Sequence, residues 1–69
     1  MYLSLKKSSN IKRAEYYGGS KILVVTFASG ACYEYFQVPQ SEILQWLIAE
    51  STGKHFCKAI RNKYTYSKI

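Results

Sequence analysis

The sequence predicts an α+β domain in which a three-stranded antiparallel β-meander is followed by two helices packed on one face. Three observations predict it. Residues 11–38 hold three runs rich in alternating, β-branched or aromatic residues, separated by short glycine-containing turns. Pro39 ends that pattern. Residues 40–62 then take helical spacing, interrupted at Thr52-Gly53. With 69 residues in all, the chain is read as one domain over residues 11–64, preceded by a lead-in at 1–10 and followed by a tail at 65–69 that frays or adds an edge strand.

The first strand, residues 11–17, alternates. Ile11, Arg13, Glu15 and Tyr17 fall on one side and Lys12, Ala14 and Tyr16 on the other, before the turn Gly18-Gly19-Ser20. Residues 21–27 form the second strand and 31–38 the third, joined by Ala28-Ser29-Gly30. Connections this short exclude a parallel crossover. Glu34 is the charge in the third strand and should face water. Period two then turns Tyr33, Tyr35 and Gln37 toward the helices, and in the second strand Leu23, Val25 and Phe27. The outward set, Ile22, Val24, Cys32 and Phe36, is unusually apolar. Either a terminal segment covers it or it docks a partner, which includes a second copy of the chain as a homodimer.

Pro39 suits the first position of a helix running to about Ser51. Ile43, Leu44, Leu47 and Ile48 make its apolar stripe. Trp46 lies off the stripe, which leaves a second sheet contact or an exposed anchor for a protein partner. Gly53 is placed as a left-handed C-cap, and residues 54–62 as a second helix with Phe56, Ala59 and Ile60 inward. Lys54, Lys58 and Arg61, at i, i+4 and i+7, would share one ridge of it.

Hydrophobic residues make up 48% and charged residues 20%, the balance of a folded domain and not of a basic disordered tail. No run reaches the length needed to span a bilayer, and the first ten residues lack the apolar segment of a signal peptide. A soluble, cytoplasmic protein without membrane contact is expected. Cys32 and Cys57 cannot make a disulfide framework and are read as buried free thiols. With His55 they fall short of the four ligands in paired short spacings that structural zinc takes, so no metal is expected. His55, the single histidine, is read as a surface residue, and nothing aligns it with Glu15, Glu34, Glu42 or Glu50 around a nucleophile. Gly18, Gly19, Gly30 and Gly53 match no phosphate-binding loop. No catalysis and no cofactor are expected.

The net charge of +6 is uneven: residues 1–21 carry +4, residues 22–53 carry −3, and residues 54–69 carry +5. If the ends meet, they form one basic face, the electrostatic footprint of a polyanion partner. The alternative is a surface that only confers solubility.

The residues Leu23, Val25 and Phe27, then Gly30, Tyr33-Glu34-Tyr35, Val38-Pro39, the segment from Ser51 through Phe56, and Ile60-Arg61 closely resemble the KTSC domain family. That family is named for a segment at the C-terminus of some lysyl-tRNA synthetases and also occurs as free-standing small proteins of bacteria and their phages. The resemblance covers roughly residues 8 to 64, with Tyr33 and Tyr35 as its central mark and Phe56, Lys58, Ile60 and Arg61 as its second. Cys57 departs from it, standing where members often carry a polar residue such as asparagine. The resemblance implies an RNA-binding role and not the synthetase's chemistry. In that role Lys54, Lys58 and Arg61 would hold phosphates, helped by Lys12, Arg13 and Lys63. Tyr33 and Tyr35 would either stack bases or serve as structural tyrosines under the helices, while Tyr16, Tyr17, Tyr64 and Tyr66 stand beside cations and are the better stacking candidates. The alternative is a protein-interaction module docking through Trp46 or the apolar outer sheet face.

Overall fold

The structure, a computed structural model, describes residues 2–3 and 10–69. Lys6 and Lys7, counted in the basic first third of the chain, lie outside the described residues. The strands are β1 (Tyr2–Leu3), β2 (Ile11–Tyr17), β3 (Ile22–Phe27), β4 (Cys32–Tyr35) and β5 (Tyr66–Lys68), with the helices α1 (Gln40–Ile48) and α2 (Thr52–His55) between β4 and β5. A π-helical turn, Phe56–Ile60, continues directly from α2. The strands form one antiparallel sheet in the order β1-β2-β3-β4-β5. The expected α+β class and the central meander are therefore present, but three strands were too few. A two-residue strand is added at one edge, and the expected tail becomes the other edge. Backbone bonds from Phe36 N to Thr65 O (2.8 Å) and from Ile69 N to Cys32 O (2.9 Å) extend the pairing of that tail beyond its strand.

Cross-strand register settles the faces. Ala14, Val25 and Tyr33 form one inward row, and Tyr16, Leu23, Tyr35 and Tyr66 the next. Leu23, Val25 and Tyr35 are buried as expected, with Phe27 and Tyr33 partly buried against them. Gln37 is exposed instead, because its backbone turns into the left-handed region (φ 57) where the strand ends. The alternation expected in β2 fails at its start. A β-bulge between Ile11 and Arg13 adds Lys12 as an extra residue, so Ile11 joins Ala14 and Tyr16 in the core. Tyr16, expected as an exposed stacking ring, is buried and donates from its hydroxyl to Val38 O at 2.7 Å. On the far face, Ile22, Val24, Cys32 and Phe36 are half-buried, so Cys32 is not the buried thiol expected. Gly30 (φ +96) closes the β3–β4 turn, its N–H donating to Phe27 O at 2.9 Å.

The α1 stripe is rotated by one residue from the expected one. Trp46 is 0% exposed and Ile43 is buried, whereas Leu44 and Ile48 are 55% and 77% exposed. The inward positions are thus Glu42, Ile43, Trp46 and Leu47. Counting aliphatic residues favours the wrong stripe because the correct one includes a carboxylate. Burial of the indole outweighs that penalty, since Trp46 Nε1 donates to Thr52 O at 2.9 Å and Glu42 finds three partners. Trp46 is therefore no exposed anchor for a partner.

Helix α1 also ends earlier than expected, at Ile48, with Ala49 extended (ψ 145). Pro39 is its N-cap and not its first helical residue, its carbonyl accepting from Glu42 N at 3.0 Å. Gly53 lies inside α2 and caps nothing. The break comes from Ser51, whose side chain accepts from Lys54 N at 3.3 Å and starts the next helix. Phe56, Ile60 and Ala59 face inward as expected. No helix among the described residues is long and apolar enough to cross a membrane.

Truncating Trp46 to Ala should cost about 3–5 kcal/mol, a large part of the roughly 4–10 kcal/mol available to a chain of this size. Urea denaturation followed by circular dichroism would check this. A two-state midpoint unchanged from wild type would contradict the indole's central place in the core.

Candidate functional site

Between the C-terminal half of the sheet and the π turn lies a cleft of about 420 Å³. Phe27, Tyr33, Tyr35, Phe56 and Tyr66 line it, together with Cys57, Arg61, Asn10 and Ser29. The five aromatic rings form a closed circuit. Phe56 meets Tyr35 (centroids 5.3 Å apart), Tyr35 meets Tyr66 (5.7 Å), Tyr66 meets Tyr33 (5.6 Å), Tyr33 meets Phe27 (5.7 Å), and Phe27 returns to Phe56 (5.6 Å). Four of these contacts are edge-on, at 63–89°, and the fifth is tilted at 39°, so none is a parallel stack.

Each ring is delivered by a local feature. Tyr33 and Tyr35 share a face because strand side chains alternate. Tyr66 comes from β5, directly opposite Tyr35 in register. Phe56 stands at the start of the π turn, fixed from below by Trp46 at 5.5 Å. The π turn also delivers Arg61. Its N–H donates to Phe56 O at 2.8 Å, a ring one residue wider than in an α-helix, which brings position 61 over position 56 and onto the cleft. Among the described residues that line the cleft, Arg61 carries the only charge.

The expected site residues are divided by this geometry. Tyr33, Tyr35 and Arg61 come together in the cleft. Lys54 and Lys58 are exposed on the same helical segment but do not line it. Lys12 is the exposed residue of the bulge next to Ile11, which does line the cleft. Arg13 pairs opposite Thr26 on the far face of the sheet. Lys63 is turned away, with its ammonium 3.5 Å from Glu42 Oε1 and over the Tyr64 ring at 5.5 Å. Phe27, Phe56 and Cys57 line the cleft although they are not among the expected site residues, and Cys57 is exposed where a buried thiol is expected. The tertiary pairing of β5 with β4 was the missing signal for the cleft as a whole.

His55, expected at the surface, differs from that expectation. It is partly buried, and its Nε2 lies 3.2 Å from Glu42 Oε2. Tyr64 donates its hydroxyl to Glu42 Oε1 at 3.1 Å. This cluster satisfies the buried carboxylate and ties α1 to the segment after the π turn. It lies apart from the residues of the cleft.

Burial pushes the Tyr35 phenol above its ordinary value, opposed by the nearby Arg61 charge and reinforced by Tyr33, Tyr66 and Cys57. Burial also raises Tyr64, helped by its hydrogen bond to Glu42 and by that carboxylate's charge. Both phenols ionise less readily folded than unfolded. Their contribution to stability is complete below about pH 10, the ordinary tyrosine value, and is lost as pH rises through that value toward the folded ones. Melting temperature measured from about pH 9 to about pH 11 should fall, and less steeply in Tyr35→Phe and Tyr64→Phe. Parallel curves for wild type and variants would refute the assignment.

A model of the KTSC domain matches residues 7–64. The fold is shared with the crystal structure of a KTSC domain protein from Yersinia pestis, at a TM-score of 0.89 and 26% identity over 100% of this chain and 96% of that one. A protein of Stutzerimonas stutzeri is 36% identical over 64 residues, covering 91% of this chain and 90% of the relative. A lysine–tRNA ligase of Nostoc punctiforme is 36% identical over 63 residues, where the match covers 91% of this chain and 11% of the ligase. The family model spans most of the chain and the free-standing relative is covered almost end to end, so this chain is a member of the KTSC domain family.

Proposed function

We propose that this KTSC domain is a non-catalytic RNA-binding module whose contact surface is the aromatic cleft and the basic helical segment beside it. One observation carries the reading: five aromatic rings close around a cleft whose lining, among the described residues, holds one charge, the guanidinium of Arg61. Of these rings Tyr66 is exposed, Phe27 and Tyr33 are half-buried, and Tyr35 and Phe56 are buried behind them; an exposed ring contributes about 1–3 kcal/mol per stacked base, and a planar guanidinium matches phosphate oxygens in a two-pronged geometry. Lys54 and Lys58 are exposed and have no carboxylate partner among the described residues, so they remain available to neighbouring phosphates. The likeness to part of a lysine–tRNA ligase, an enzyme that acts on an RNA, supports the same partner.

Catalysis has little to work with here. Among the described residues, the cleft lining includes no carboxylate and no histidine. The chain's one histidine is bonded to Glu42 elsewhere. Tyr35 is pushed away from the neutral range in which a general acid or base operates.

Fluorescence anisotropy against tRNA, a short single-stranded RNA and a duplex DNA, at two salt concentrations, tests the reading. Preference for an RNA that outlasts the added salt is expected. Lys58→Ala combined with Arg61→Ala should weaken binding with little dependence on sequence and flatten the salt slope by up to about two phosphate contacts. Equal, salt-erased binding to every nucleic acid, or no effect of the double substitution, would defeat it.

A further inference from the structure

The shape and charge of the cleft bear on which form of RNA it would accept. Building on the RNA-binding reading above, we propose that the cleft receives a single unpaired nucleotide, such as one extruded from a loop or bulge, with its base against Tyr66 and Tyr33 and its phosphate on Arg61. The volume, about 420 Å³, lies within the range of small-ligand pockets and holds one nucleotide but no segment of a helix. A paired base has both faces occupied by its neighbours in the stack, and the deep, narrow major groove of an RNA helix admits no side chain. Only an extruded base presents a face to a tyrosine ring.

The rings are arranged for such a guest. Tyr66 is 55% exposed, so its contacts with Tyr33 and Tyr35 leave part of its ring uncovered for a base. Tyr66 is exposed on the edge strand β5, and Cys57 and Arg61, which line the same cleft, are exposed too. The entrance therefore lies at the surface, and a nucleotide can enter while its chain continues on both sides. The sign of the charge decides against the other familiar guest of an aromatic enclosure, a quaternary ammonium. Cation recognition requires ring faces without a competing positive charge, and here a guanidinium lines the cleft with no carboxylate to balance it among the described residues. A flat group with an anion attached fits, which is a nucleotide.

The test uses three RNAs built on the same stem: fully paired, carrying one bulged nucleotide, and carrying the same bulge with its base removed. Binding is read by anisotropy at one salt concentration for wild type and for Tyr66→Ala. That ring is exposed on an edge strand, and circular dichroism checks that the fold is kept. The bulged stem should bind more tightly than the other two. Tyr66→Ala should weaken it by about 5- to 150-fold, the range that one stacked base supplies, and leave the paired and abasic stems unchanged. Equal binding of all three stems by wild type, or equal weakening of all three by Tyr66→Ala, overturns the single-nucleotide pocket and leaves the RNA-binding reading standing. Absence of binding to any of them overturns both. The wild-type comparison of bulged and abasic stems decides the matter even if the variant does not fold.

Discussion

The burial of the Trp46 indole is the interaction on which the other features of this fold depend. Its N–H reaches the Thr52 carbonyl, which sets where the second helical segment begins relative to the first. Its ring lies against Phe56, and Phe56 in turn meets Tyr35 and Phe27. A single side chain from α1 therefore supports the floor of the cleft. The orientation that buries Trp46 also carries Glu42, one turn earlier, into the interior. A buried carboxylate is tolerated only with partners, and Tyr64, His55 and Lys63 supply them. Two of those partners, Lys63 and Tyr64, lie just before β5, so satisfying Glu42 fixes the approach of the strand that contributes Tyr66.

The cations of the C-terminal segment are sorted by the same constraints. Lys63 is drawn to Glu42, while the wide π turn brings Arg61 to the aromatic cleft. In an ordinary α-helix Arg61 would continue a ridge begun by Lys54 and Lys58. The extra residue in the turn instead separates the guanidinium, which lines a concave aromatic site, from the two lysines, which remain outside it. Such turns cost hydrogen-bond geometry and are found where a side chain must be aimed. Here the aimed side chain is the one whose shape suits a phosphate best.

Much of this was open to reading in advance because it rests on local rules. Strand alternation and short glycine turns determined the antiparallel meander, the inward set of Leu23, Val25 and Tyr35, and the pairing of Tyr33 with Tyr35 on one face. Helical spacing after Pro39 determined that helices follow, and that Phe56 and Ile60 point inward. The motif residues determined the family. What the tertiary structure alone decided depends on contacts between distant parts of the chain. The α1 stripe turned by one residue because an indole with a distant carbonyl partner outweighs two aliphatic side chains. The bulge at Lys12 moved Ile11 into the core, since strand pairing rather than the run of residues sets its register. The last strand formed because β4 offered an unpaired edge, and only that pairing brings Tyr66 opposite Tyr35 to close the aromatic circuit. Periodicity records which side of an element is apolar; which long-range partner meets that side is a matter of packing, and the cleft is built from such meetings.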